Sequence, residues 1–147
     1  MAKHNFLIKP NDQRELVHFG MAEKDRRLAA NLLGHEGEDI AAQYLREHGY
    51  TIQERDWHCG HKDLDLVVTK DNVIAFVEVK TRTGNEWGDP QDFVTDRKIR
   101  SIVHSADAYL RLNQINMEVR FDIISVILDR GEFKVEHIEQ AFFPPME

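Results

Sequence analysis

The sequence predicts a small α/β domain built around a mixed sheet. Three observations carry that prediction. Two stretches have apolar residues at helical spacing, five short runs are rich in β-branched and aromatic residues, and their order is helix, three strands, helix, two strands. At 147 residues the chain has room for one core and not for two. Its composition, 41% hydrophobic and 31% charged, belongs to a globular protein rather than a disordered or fibrous one.

Residues 1–33 are the least regular part, with Pro10, an Asn11-Asp12 turn signal and Gly20. They read as an N-terminal extension, either mobile or carrying a short helix near 21–33. Residues 34–143 read as the folded domain and 144–147 as a tail. The first firm helix spans about 35–48, because Ile40, Ala41, Tyr44, Leu45 and His48 recur at 3.6-residue spacing and Gly49 is a natural stop. Strands follow at 50–56, 63–69 and 73–80. The third is apolar on both faces until its end, the pattern of a central strand covered on both sides. The short Lys70-Asp71-Asn72 turn makes the second and third strands antiparallel neighbours. A polar loop occupies 81–94. Thr95 then caps a second helix with Ile99, Ile102, Val103, Ala106, Tyr109 and Leu110 on one side. The last strands are 118–128 and 133–138, parted by Asp129-Arg130-Gly131.

Composition narrows the function classes. No run approaches the eighteen or more apolar residues of a membrane span, and the N-terminus lacks the apolar stretch of a secretory signal. A single cysteine, Cys59, rules out an internal disulfide and fits a reducing compartment, so the expected location is the cytoplasm. The net charge of −7 argues mildly against a protein that coats nucleic acid. The acidic excess is concentrated, however. Residues 34–79 hold ten acidic and four basic side chains, whereas residues 80–120 hold six and seven. Local carboxylates for a cation are compatible with a basic groove beside them.

The chemistry-bearing residues lie on the strands. Glu78 and Lys80 end the third strand and, by alternation, share a face with Ile74 and Phe76 while Val79 points away. Asp65 on the second strand lies across from Glu78, and Asp63 shares its face nearer the strand's start. Glu38 lies three and seven residues before Ala41 and Leu45, on the inward flank of the first helix. Inward carboxylates must be paired, hydrogen-bonded or bound to metal. Glu38, Asp65 and Glu78 form an all-oxygen set suited to Mg²⁺ or Mn²⁺. Phosphodiester hydrolysis follows from such a set, with Asp65 and Glu78 holding the cation. Glu38 would complete the coordination or position a second ion. Lys80 would orient or deprotonate the attacking water, or neutralise charge on the phosphate. Arg82, Lys98, Arg100 and His61 are the candidates for contact with backbone phosphates. Asp122 alternates with Phe121 beside Arg120, as a structural pair or as support for the acidic site. His58, Cys59 and His61 lack the separated ligand pairs of a zinc site. Trp57, Trp87 and Phe93 either stack on bases or pack loops onto the sheet.

These residues resemble a known family. Gly37-Glu38…Ala41-Ala42…Tyr44-Leu45…Gly49-Tyr50, Asp63-Leu64-Asp65-Leu66-Val67 and Phe76-Val77-Glu78-Val79-Lys80-Thr81-Arg82 are similar to the bacterial YraN-type family. That family is a branch of the PD-(D/E)XK, or restriction-endonuclease-like, superfamily. Gly88-Asp89-Pro90, Lys98, Ala106…Tyr109-Leu110 and Arg120-Phe121-Asp122 extend the match, which runs from about residue 34 to Phe142. The resemblance implies a restriction-endonuclease-like core, a mixed five-stranded sheet flanked by helices. It implies that Asp65 and Glu78 are the metal acids, Lys80 the catalytic lysine, and Glu38 the helix glutamate of archaeal Holliday-junction resolvases. Those resolvases are dimers that cut branched DNA, so a homodimer is implied by analogy. One departure stands out: Lys62-Asp63-Leu64-Asp65 replaces the usual Gly-Glu-Ile-Asp.

The expected function is therefore a divalent-metal-dependent endonuclease acting on DNA, selective for branched or otherwise structured forms. The alternative is a non-catalytic nucleic-acid-binding or complex-assembly module on the same scaffold. Recruitment by another protein, or preference for an unusual DNA shape, reconciles the negative net charge with a nucleic-acid substrate.

Overall fold

A computed structural model describes residues 5–8, 23–84 and 94–145 of the chain. In chain order the elements are β1 (Asn5–Ile8), α1 (Glu23–Glu47), β2 (Thr51–Cys59), β3 (Lys62–Lys70), β4 (Val73–Thr83), α2 (Asp96–Leu112), β5 (Glu118–Asp129) and β6 (Glu132–Ile138). The strands form one sheet in the order β1-β6-β5-β4-β3-β2. Among the described residues only β4 and β5 pair in parallel, joined through α2, and the other ladders are antiparallel.

All five expected strands form, β4 is central, and β3 and β4 are antiparallel neighbours as the short turn required. A sixth strand, β1, joins antiparallel to β6 from within the segment read as an extension. Four residues are too few for a readable alternation. The neighbour that makes them a strand, the outer edge of β6, is remote in sequence. The segment 21–33 differs in a similar way: the helix starts at Glu23 and runs without a break into the expected one. Gly34 and Gly37 weaken it without ending it, since a glycine inside a helix costs only about 1 kcal/mol. Gly49, at φ +89°, does end it, with Gly49 N–H donating to Arg46 O at 3.1 Å and Tyr50 N–H to Leu45 O at 2.9 Å. Thr95 caps α2 as its sequence position indicated, its Oγ1 accepting from Lys98 N–H at 3.2 Å.

The helices cover opposite faces of the sheet. Ile40, Ala41, Tyr44 and Leu45 of α1 pack on Leu66, Val68, Ala75, Val77, Ile124 and Val126. Ile102, Ala106 and Tyr109 of α2 pack on Val67, Ile74, Phe76, Phe121 and Ile123. Successive β4 residues thus enter opposite layers, which is why that strand is apolar on both faces until Glu78. Among the described residues, no helix is long and apolar enough to cross a membrane.

Candidate metal centre

The site forms where the β3–β4 ladder stops. Its pairs run from Lys70↔Val73 to Leu66↔Val77, and the next residues along are Asp65 and Glu78. Leu64 and Val67, an odd number of residues apart, both pack in the α2 layer, so the alternation of β3 slips once between them. Asp65 lies just past the last pair of the β3–β4 ladder. Its Oδ2 instead accepts from Val79 N–H at 2.9 Å, a backbone donor beyond the end of the ladder. Across β2 the chain is irregular at the same level, where Asp56 takes a left-handed φ of 48°. Aspartate tolerates that conformation better than most residues, and the turn redirects its side chain toward the gap.

Four carboxyls converge there. Glu38 from α1, Asp56 from β2 and Asp65 from β3 each place an oxygen within 4.8 Å of the others. Glu78 from β4 is joined to Asp65 by a carboxyl–carboxyl hydrogen bond. Burial pushes Glu78 up from 4.5 to about 8, and the charge of Asp65 adds to it. Burial, then the charges of Asp56 and Asp65, raise Glu38 to about 7. Burial also raises Asp65, against the Val79 N–H and the Lys98 charge. Glu78 accordingly keeps a proton near neutral pH that it donates to Asp65, and Glu38 is pushed up into the neutral range. Protonation of Glu78 and Glu38 relieves the repulsion among these crowded acids. A divalent cation would do the same work with better electrostatics, and the donor set, all hard oxygen, fits Mg²⁺ or Mn²⁺.

Asp56 was not legible as a site residue, because it closes the strand run at 50–56. The available signal was that β propensity resumes after it in Trp57-His58-Cys59, the mark of a bulge. The other candidates fall into place unevenly. Lys80 is exposed, two residues past Glu78 on the same strand. Lys98 turns toward the acids, its Nζ 3.7 Å from Glu78 Oε1, instead of standing on the open surface. Arg100 is exposed on α2, and His61 and Asp63 are exposed at the β2–β3 turn. Arg82 is only 7% exposed, so it is a buried cation of β4 and not the surface phosphate contact anticipated for it. Trp57 packs edge-on against Tyr109, with centroids 5.3 Å apart. Trp87, Phe93 and Gly88-Asp89-Pro90 lie outside the described residues.

Asp122 does not stand beside the acids. It is fully buried on the α1 side of β5. There it accepts two bonds of 2.8 Å from Arg120, pairs with His137 Nε2 at 2.8 Å, and accepts from Gln140 N–H at 3.0 Å. Arg120 also donates to the Tyr50 hydroxyl at 2.5 Å. Burial alone would raise Asp122, but these bonds outweigh it and hold its carboxyl below the usual range. Alternation sends Asp122 to the face opposite Glu78, which makes the structural pair its role.

A six-stranded mixed sheet between two helices, with acids gathered where the β3–β4 ladder stops, defines a restriction-endonuclease-like α/β domain. Residues 37–126 match the uncharacterised protein family UPF0102. The chain is 50% identical over 116 residues to a UPF0102 protein of Phocaeicola vulgatus, covering 79% of this chain and 96% of that one. It is 51% identical over 116 residues, with the same coverage, to a UPF0102 protein of Bacteroides fragilis. A UPF0102 protein of Syntrophomonas wolfei is 45% identical over 111 residues, 75% of this chain and 96% of its own. The chain belongs to the UPF0102 (YraN) family of the restriction-endonuclease-like superfamily.

Proposed function

We propose that this protein is a divalent-metal-dependent endonuclease that hydrolyses DNA phosphodiester bonds. The observation that carries the reading is the convergence of Glu38, Asp56, Asp65 and Glu78, from four separate elements, beside an exposed lysine two residues past Glu78 on the central strand. Structural packing alone does not account for acids crowded and buried closely enough to push Glu38, Asp65 and Glu78 above the usual carboxylate range. Asp65, Glu78 and Glu38 would hold Mg²⁺ or Mn²⁺, with Asp56 as a further ligand. When bound, the ion supplies a polarised phosphoryl oxygen and a more acidic water. Lys80 then orients the attacking water or meets the negative charge that grows on the phosphate, which its exposure allows. Lys98 steadies Glu78 at the edge of the site.

The surface beside the site suits a polyanion. Arg97, Arg100 and His104 are exposed on the N-terminal half of α2, at spacings of three and four that align them along the helix. Two or three phosphate contacts there position a strand without reading its sequence. The net charge of −7 disfavours ordinary duplex, so a branched or otherwise structured DNA is the substrate this reading prefers. Paired cuts in a branched junction need two such sites, and a homodimer accompanies that form of the proposal. A recruiting protein would serve the same end.

The test is cleavage of labelled single-stranded, duplex, flap and four-way-junction DNA, and of RNA, in Mg²⁺, Mn²⁺ or EDTA. Cutting that EDTA and Asp65→Ala both abolish supports the reading, and the preferred substrate names its class. Binding without cutting would replace it with the non-catalytic module, and neither binding nor cutting would end both.

A further inference from the structure

Helix α1 has two internal glycines, Gly34 and Gly37, at positions where alanine would make a stronger helix. Around Gly34 a Cβ would meet nothing within 4 Å. Gly37 is different. It is buried, and a Cβ there would overlap Thr81 Oγ1 of β4 and lie 3.2 Å from Thr81 Cβ and 3.4 Å from its Cγ2. Turning the threonine about χ1 would not clear that space, because its Cβ is itself too close. Thr81 stands on the α1 face of β4, two residues beyond Val79, which packs in the α1 layer. The helix therefore comes down onto the sheet at Gly37 as closely as a bare backbone permits.

The next residue is Glu38. It is the one acid of the cluster carried by a helix, whereas Asp56, Asp65 and Glu78 stand on strands of a single sheet. The separation of α1 from β4 thus governs how far the Glu38 oxygen reaches toward those of Asp56 and Asp65, which lie within 4.8 Å of it. We propose that the Gly37–Thr81 contact is the stop that sets the depth of Glu38 in the metal centre, and with it the size of cation the centre prefers. Gly37 is a positioning residue that acts through Glu38, and the inference rests on the reading of the acid cluster as a metal site. Mg²⁺ takes oxygens at about 2.0–2.1 Å in near-octahedral order, whereas Ca²⁺ accepts about 2.3–2.6 Å in looser shells. An outward step of α1 by about 1 Å, the scale on which a supported site fails, penalises the smaller ion more.

The experiment is calorimetric titration of Mg²⁺ and Ca²⁺ into full-length protein. Wild type is compared with Gly37→Ala, alone and combined with Thr81→Ser or Thr81→Ala, and with Gly34→Ala. Gly37→Ala should weaken Mg²⁺ binding about tenfold and Ca²⁺ binding by no more than about threefold. Mg²⁺ affinity should recover stepwise with Thr81→Ser and Thr81→Ala, since each clears space before the new methyl group. That series also carries the test if the single variant folds poorly. Gly34→Ala should leave both affinities at the wild-type level. Crystal structures of the metal-free wild type and of Gly37→Ala, or of its combination with Thr81→Ser, should show the Glu38 and Asp65 carboxyls about 1 Å further apart in the variant. An unchanged separation overturns the inference, and so does an equal loss for the two ions or a loss that Thr81→Ala does not repair. A wild type that binds neither ion would instead defeat the metal reading and the cation preference with it. The crystallographic separation would then still decide whether Gly37 sets the depth of Glu38.

Discussion

Replacing Glu78 with glutamine should make the metal-free protein more stable at alkaline pH while destroying its activity. Glu78 is 15% exposed and titrates near 8 instead of 4.5, first because of burial and then because of Asp65. Its folded-state value lies above its unfolded one, so its contribution to stability is complete below pH 4.5. That contribution is lost as pH rises through about 8. At about 1.4 kcal/mol per pH unit, the full cost of ionising Glu78 in the fold has a ceiling of about 5 kcal/mol. Asp65 and Glu78 titrate as a pair and water relaxes around them, so about 2 kcal/mol is the expected share. Glutamine keeps the shape and the donor to Asp65 and never ionises. In EDTA at pH 8.5, Glu78→Gln should therefore melt about 4–8 °C above wild type, with the two equal near pH 5. Adding Mg²⁺ at pH 8.5 should reverse the order, because only the wild type has the full ligand set. Thermal melts at the two pH values, with and without metal, read all of this. A glutamine variant no more stable than wild type at pH 8.5, or a difference that ignores pH, would refute the account of Glu78 as a buried acid kept protonated by its surroundings.

Four further outcomes are expected. Lys80→Ala should reduce cleavage at least about a hundredfold and leave Mg²⁺-induced stabilisation intact, as measured by melts beside rate assays, since the lysine is exposed and acts on the reaction and not on the metal. Asp56→Asn should weaken Mn²⁺ binding about tenfold by calorimetry, because its oxygen lies within 4.8 Å of those of Glu38 and Asp65. A Cβ at Gly37 would overlap Thr81 Oγ1 and lie 3.2 Å from Thr81 Cβ, so Gly37→Ala should destabilise by about 1–2 kcal/mol in denaturant titrations. In a Thr81→Ala background the same change should be neutral or stabilising, and a cycle with no coupling would show that α1 does not meet β4 there. Asp122→Ala should cost about 3–4 kcal/mol, because it removes the buried carboxylate that Arg120 and His137 both bind, with the catalytic rate per folded molecule preserved.

Much of the architecture was legible because periodicity and burial are local consequences of residue order. The two-faced apolar run of β4 announced a central strand, Gly49 a helix end, and Thr95 a cap. The alternation of Glu78, Val79 and Lys80 also appeared as read, with Val79 in the α1 layer and Glu78 reaching Lys98 of α2. Misplaced residues were those whose surroundings come from distant segments. Arg82 is polar and follows a strand end, but β4 continues through Thr83 and the fold closes over it. Asp122 sits near the acids along the strand and on the opposite side of it.

The amino-acid order by itself determined which segments are helix and strand, that the sheet is mixed, and that Glu38, Asp65, Glu78 and Lys80 are the residues to watch. Tertiary structure alone decided that β1 closes the edge of β6, that Asp56 joins the acids, and that Asp122 leaves them for Arg120 and His137. The physical reason is the same in each case. Hydrophobic period and capping chemistry are set within a few residues. A carboxylate's partners, its burial and the protons it shares depend on where the β3–β4 ladder ends and which chains meet in the gap it leaves.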